Sequence, residues 1–168
     1  AQIMQKVLAE KGIDFSRSRH FPGEDAFALV TMKGNDRVFV GSNKGGVFHT
    51  HTYDFTEEDF AYIRQFDLMY TNINCHIEGD LPALSRLGIP IVFDFSDRWT
   101  AEYLKQYCPY VKVACLSCAH LPRPEMEEAM REAASYGVPL VLGTRGEEGS
   151  SALYKGRFTS VPAASAEN

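Results

Sequence analysis

Two kinds of apolar spacing divide the chain near residue 55. Before it, Ile3, Val7 and Leu8 recur at helical spacing within Ala1–Lys11, and Gly12 is placed to close that helix in the left-handed region. Two β-rich runs, Ala26–Lys33 and Asp36–Ser42, flank Gly34-Asn35, the pattern of an antiparallel hairpin. After it, helical and strand periods alternate. Thr56-Glu-Glu-Asp59 reads as a capping box, with Asp in place of the usual Glu, opening a helix that turns Phe60 and Ile63 inward. Strand Asp67–Ile73, helix Leu81–Leu87 stopped by Gly88, and strand Ile89–Phe95 follow. Next come helix Thr100–Tyr107 and strand Val111–Ser117. The clearest helix starts at Pro124, carries Met126, Ala129, Met130, Ala133 and Ala134 on one face, and stops at Gly137. Strand Val138–Gly143 completes the alternation, and Ser151–Tyr154 with Arg157–Val161 forms a second hairpin around Lys155-Gly156.

Repeated β-α-β units of this spacing predict an α/β fold: a mostly parallel, Rossmann-type sheet flanked by helices, with a small separate β hairpin. Ligands in such sheets bind at the carboxyl ends of the strands. That rule selects Asn72 and Asn74, Asp94 to Arg98, Ser117 to His120 and Thr144 to Gly149.

Composition narrows the classes. The 168 residues are 45% hydrophobic and 23% charged, as in an ordinary globular domain. A formal charge of −5 argues against a nucleic-acid partner. No apolar run approaches the roughly 20 residues that span a bilayer, so no membrane partner is expected and the cytoplasm is the expected location. Four cysteines at irregular spacing do not make a disulfide framework. Cys115 and Cys118 have C-x-x-C spacing, but Cys115 lies in a strand-like run rather than at a helix start, so both read as buried or strand-end thiols. His49 and His51, without a carboxylate or Cys at matching spacing, read as solvated, and no metal ligand is assigned.

Two segments stand out chemically. In Thr144-Arg-Gly-Glu-Glu-Gly-Ser150, glycines after a strand let backbone N–H groups approach an anion, and the threonine hydroxyl can donate to it; a plain turn is the alternative. Phe93-Asp-Phe-Ser-Asp-Arg-Trp99 places two carboxylates, an arginine and the one tryptophan just past a strand. Asp94 and Asp97 read either as ligand contacts or as a helix cap and a partner for Arg98.

In this order, the pieces resemble the PfkB (ribokinase-like) sugar kinases, and Asp94-Phe-Ser-Asp97 resembles fructoselysine 6-kinases within them. The resemblance implies transfer of the ATP γ-phosphate, with Mg²⁺, to a hydroxyl of a sugar derivative, fructoselysine or a related fructosamine. It implies that the chain, 1–168, corresponds to an internal portion of one such domain, with lid hairpin 26–42 and nucleotide-binding core 55–161. Phe27, Val40 and Ser42 then fall at sugar-lining positions, and the hairpin is a candidate homodimer contact. Asn72, Asp94, Ser96 and Arg98 are implied substrate contacts, with Arg98 suited to the carboxylate of an amino-acid moiety. Ser117, Thr144, Gly146 and Gly149 are implied nucleotide contacts, the last three matching T-x-G-x-x-G.

The sequence departs from the family pattern at Ser117-Cys-Ala-His120, where N-x-x-E is expected. The G-G-N and D-T-x-G-A-G-D motifs are not found in these residues, so no catalytic base is assigned and the isolated polypeptide is expected to be inactive. The alternatives are a kinase of this family for another sugar or nucleoside, and a non-catalytic sugar- or nucleotide-binding or dimerising remnant.

Overall fold

The computed structural model describes residues 2–34, 36–49, 51 and 53–165, with the backbone alone at 36, 37 and 48. Two compact units result, Ala1–Asp54 and Phe55–Asn168.

In the first unit, α1 (Gln2–Glu10) ends as expected at Gly12, whose φ is +65°. Gly12 N–H donates to the Ala9 carbonyl at 3.0 Å and Ile13 N–H to the Leu8 carbonyl at 2.9 Å, the paired bonds of a Schellman cap. Strands β1 (Ala28–Lys33) and β2 (Asp36–Ser42) form the antiparallel hairpin. Gly34 has φ +66°; Asn35, the other expected turn residue, lies outside the described residues. A register shift between Leu29 and Val30 makes Val40 the extra residue of a bulge. Every residue of β1 is exposed.

The second unit holds a six-stranded sheet in the order β3-β4-β5-β6-β7-β8. Its strands are β3 (Met69–Asn72), β4 (Ile91–Ser96), β5 (Val113–Ser117), β6 (Leu140–Thr144), β7 (Ser150–Tyr154) and β8 (Arg157–Val161). The first four are parallel, and β7 and β8 are antiparallel. Helix α2 (Glu57–Ile63) precedes β3, and the expected capping box is present. Thr56 N–H donates to Asp59 Oδ2 at 2.8 Å, and Asp59 N–H donates to Thr56 Oγ1 at 3.2 Å. Asp satisfies the box because its shorter side chain still reaches the cap N–H.

Helices α3 (Leu81–Ser85), α4 (Ala101–Tyr107) and α5 (Arg123–Ser135) link successive parallel strands. The strand order never reverses, so right-handed crossovers put all three on one face. That explains why the strand-like run Val111–Ser117 is fully covered on one face only. In β4, Ile91, Phe93 and Phe95 are buried, whereas Val92, Asp94 and Ser96 are half-buried. In β5, only Ala114 and Leu116 are buried. The helix-facing set meets Leu81, Leu84, Leu104, Met126, Met130 and Ala133 in one core. Gly143 gives the sulfurs of Met126 and Met130 room, since a Cβ there would lie 3.1 and 2.8 Å from them. Thr100 caps α4 through Tyr103 N–H at 3.2 Å, so neither Asp94 nor Asp97 is the cap.

Candidate functional site

Parallel strands present their carboxyl ends along one edge of the sheet, and the residues singled out in the second unit collect there in two groups. The first is built on the ends of β3 and β4. Asn72 and Asp94 are register partners on neighbouring strands. The Asn72 side chain accepts from Asn74 N–H at 2.9 Å, which folds the 3₁₀ turn Ile73–Cys75 back over the strand end. That turn presents Asn74, whose Oδ1 accepts from an Arg98 terminal nitrogen.

Asp94 has two partners. Its Oδ1 accepts from Ser96 N–H at 2.8 Å, and its Oδ2 accepts from the Tyr70 hydroxyl at 3.2 Å. A turn tied by an Asp two residues back lets Ser96 adopt φ +56°, the left-handed region, where β4 breaks register with β5. This bend brings Arg98 to Asn74. Partial burial, together with the Asp94 carboxylate beside it, holds the Tyr70 phenol above its ordinary value, so Tyr70 stays a neutral donor. Asn72, Asp94 and Arg98 are therefore brought together, while the Ser96 hydroxyl turns to Asp97 Oδ1 at 3.3 Å. Asn74 and Tyr70 complete the cluster. Asn74 was already selected by the strand-end rule, whereas Tyr70 was legible only by alternation, two positions before Asn72 on the same face.

The second group is built on β5 and β6, where Ser117 and Thr144 are register partners. The connection after β6 is a 3₁₀ turn, Gly146–Glu148, closed by Arg145 N–H to the Gly149 carbonyl at 2.8 Å. Gly146 and Gly149 have φ +56° and +87°. At Gly149 any Cβ would run into the Val161 carbonyl and lie 2.8 Å from Ala163 N, so only glycine fits. Cys118 N–H donates to the Thr144 carbonyl at 2.7 Å, which joins the connections after β5 and β6. Burial pushes the Cys118 thiol up to about 11, against the opposing charge of Arg145. Cys115 is half-buried and Cys118 buried, and neither forms a disulfide. Between the two groups, Trp99 packs on His120 with ring centroids 6.2 Å apart, and its buried Nε1 has no acceptor among the described residues.

Phe27, Val40 and Ser42 belong to the first unit. Phe27 N–H donates to Asn43 Oδ1 at 3.0 Å, and Val40 is 61% exposed at the bulge. The Ser42 hydroxyl accepts from Lys44 N–H at 3.2 Å. His51 is exposed, with Nδ1 3.1 Å from the Val47 carbonyl and its ring 4.9 Å from Phe21. Among the described residues no group of three or more His, Cys, Asp or Glu side chains can hold a metal ion.

No protein-family model matches the chain. It is 38% identical over 144 residues to the fructosamine kinase of Bacillus subtilis (strain 168), an alignment covering 85% of this chain and 50% of that protein. It is 32% identical over 159 residues to the fructoselysine 6-kinase of Shigella flexneri, covering 92% and 58%. The chain belongs to the PfkB, ribokinase-like carbohydrate kinases. It spans about half the length of these relatives. The fold agrees: ribokinase from Giardia lamblia superposes with a TM-score of 0.75 at 12% identity, over 99% of this chain and 56% of that one. In this PfkB chain, the two strand-end groups lie where the α/β rule for ligands places a site.

Proposed function

We propose that the whole protein is an ATP-dependent kinase of a fructosamine-type sugar, with fructoselysine as the substrate class. The observation that supports this most is the 38% identity to a fructosamine kinase across 85% of the chain. The geometry is consistent with it. The Asn72, Asn74, Asp94 and Arg98 group offers carbonyl and carboxylate acceptors for sugar hydroxyls, beside a planar cation for a carboxylate. The Thr144–Gly149 turn offers a hydroxyl and a close backbone approach for a nucleotide phosphate, with Ser117 beside it. ATP with Mg²⁺ would supply the phosphoryl group. These residues would bind and orient the reactants, which is most of what phosphoryl transfer asks of a protein. Sugar contact by Phe27, Val40 and Ser42, and self-association through the exposed hairpin, belong to the same proposal.

The test is substrate discrimination in the whole protein. Arg98→Met should lower kcat/KM for fructoselysine about 10- to 100-fold, the worth of one lost charged hydrogen bond, and leave fructose nearly unchanged. Equal losses on both sugars would remove Arg98 from carboxylate recognition. A wild-type enzyme that prefers a plain sugar or a nucleoside would replace the fructosamine reading with another kinase of the family.

A further inference from the structure

Arg145 lies inside the Thr144–Gly149 turn, yet its side chain faces inward and is only 14% exposed, against 62% for its partner Glu148. All three guanidinium nitrogens are engaged. Nε donates to the Leu121 carbonyl at 3.1 Å, and the two terminal nitrogens donate to the two Glu148 oxygens at 2.6 and 2.8 Å. The backbone closes the same ring, with Glu148 N–H on the Arg145 carbonyl at 3.1 Å and Gly149 N–H on the Gly146 carbonyl at 3.0 Å. Leu121 belongs to the connection between β5 and α5, and Glu148 to the connection between β6 and β7. One side chain thus joins the two connections that carry Ser117, Thr144, Gly146 and Gly149.

We propose that Arg145 is a positioning residue that holds these two connections in a preformed shape for the nucleotide. This rests on reading the Thr144–Gly149 turn as the nucleotide loop. A turn with two left-handed glycines is conformationally free, and its ordering would otherwise be charged against binding. The exposed carboxylate alone would hold it weakly. The Leu121 bond fixes the guanidinium plane, and the plane fixes Glu148 through both oxygens. Lysine has one nitrogen on a flexible stem and cannot make three divergent bonds, so it does not replace Arg145.

The experiment is calorimetric binding to the whole protein of a non-hydrolysable ATP analogue with Mg²⁺ and, separately, of fructoselysine. Arg145→Met and Arg145→Lys should each weaken the analogue about tenfold or more, with sugar affinity unchanged. Glu148→Gln, an exposed change that keeps one acceptor oxygen, should weaken it by a smaller factor, and it tests the tie even where an Arg145 variant fails to fold. Analogue affinity at the wild-type level in folded variants overturns the role of Arg145, as does equal weakening of analogue and sugar. No analogue binding by the wild-type protein overturns the nucleotide-loop reading itself, and the role of Arg145 with it.

Discussion

Residues at the strand ends are tied across neighbouring strands and connections, Asn74 with Arg98, Tyr70 with Asp94 and Arg145 with Leu121, while Arg145 also holds Glu148 within its own connection. The sequence shows which residue types stand after each strand, because the strand periods place them there. It does not show the partners, which come from different strands or connections, 24 residues apart in each of the longer-range pairs. Asp94 illustrates the limit. The run Asp94 to Arg98 suggests a helix cap or an ion pair, whereas the carboxylate closes its own turn and accepts from Tyr70.

Cys118 gives a pH prediction. Its thiol is raised from 9.0 to about 11 by burial, so the folded state holds the proton more tightly than the unfolded state does. Its stabilising contribution is complete below pH 9 and is lost as pH rises towards 11. Chemical denaturation at a series of pH values should show a decline in stability over that window that Cys118→Ala reduces. An unchanged pH slope in the variant would show that another group is responsible.

At the scale of elements, most of the order was legible. The capping box, the Gly12 stop, the helix at Pro124 and both hairpins follow from local rules that tertiary structure reinforces. What local rules do not carry is which strand faces are covered, since that depends on the direction in which successive crossovers march. The core packing gives a direct check. Gly143→Ala would press a methyl group against the sulfurs of Met126 and Met130, and should cost about 1–3 kcal/mol in denaturant unfolding. A wild-type midpoint would mean that α5 yields freely. Thr56→Ala should cost about 1 kcal/mol by losing the cap of α2, and the same unfolding measurement checks it.

For the whole molecule, a mostly parallel sheet brings two strand-end groups to one edge, with Trp99 between them. Trp99, the one tryptophan in these 168 residues, should report nucleotide binding by a change in emission that Trp99→Phe removes, and no such Trp99-dependent change at a saturating analogue would place the nucleotide elsewhere. The hairpin carries Leu29, Val30, Met32, Phe39 and Val40 at 50% exposure or more. Sedimentation of the whole protein should show a dimer that Phe39→Lys weakens; a monomer in the wild type would leave that face without a self-contact. The most direct test of the account is ADP release by the whole protein at saturating ATP, with fructoselysine and with fructose. Turnover of fructoselysine is expected with kcat/KM about 10- to 100-fold above that of fructose. No sugar-dependent ADP release, or a preference for fructose, would contradict it.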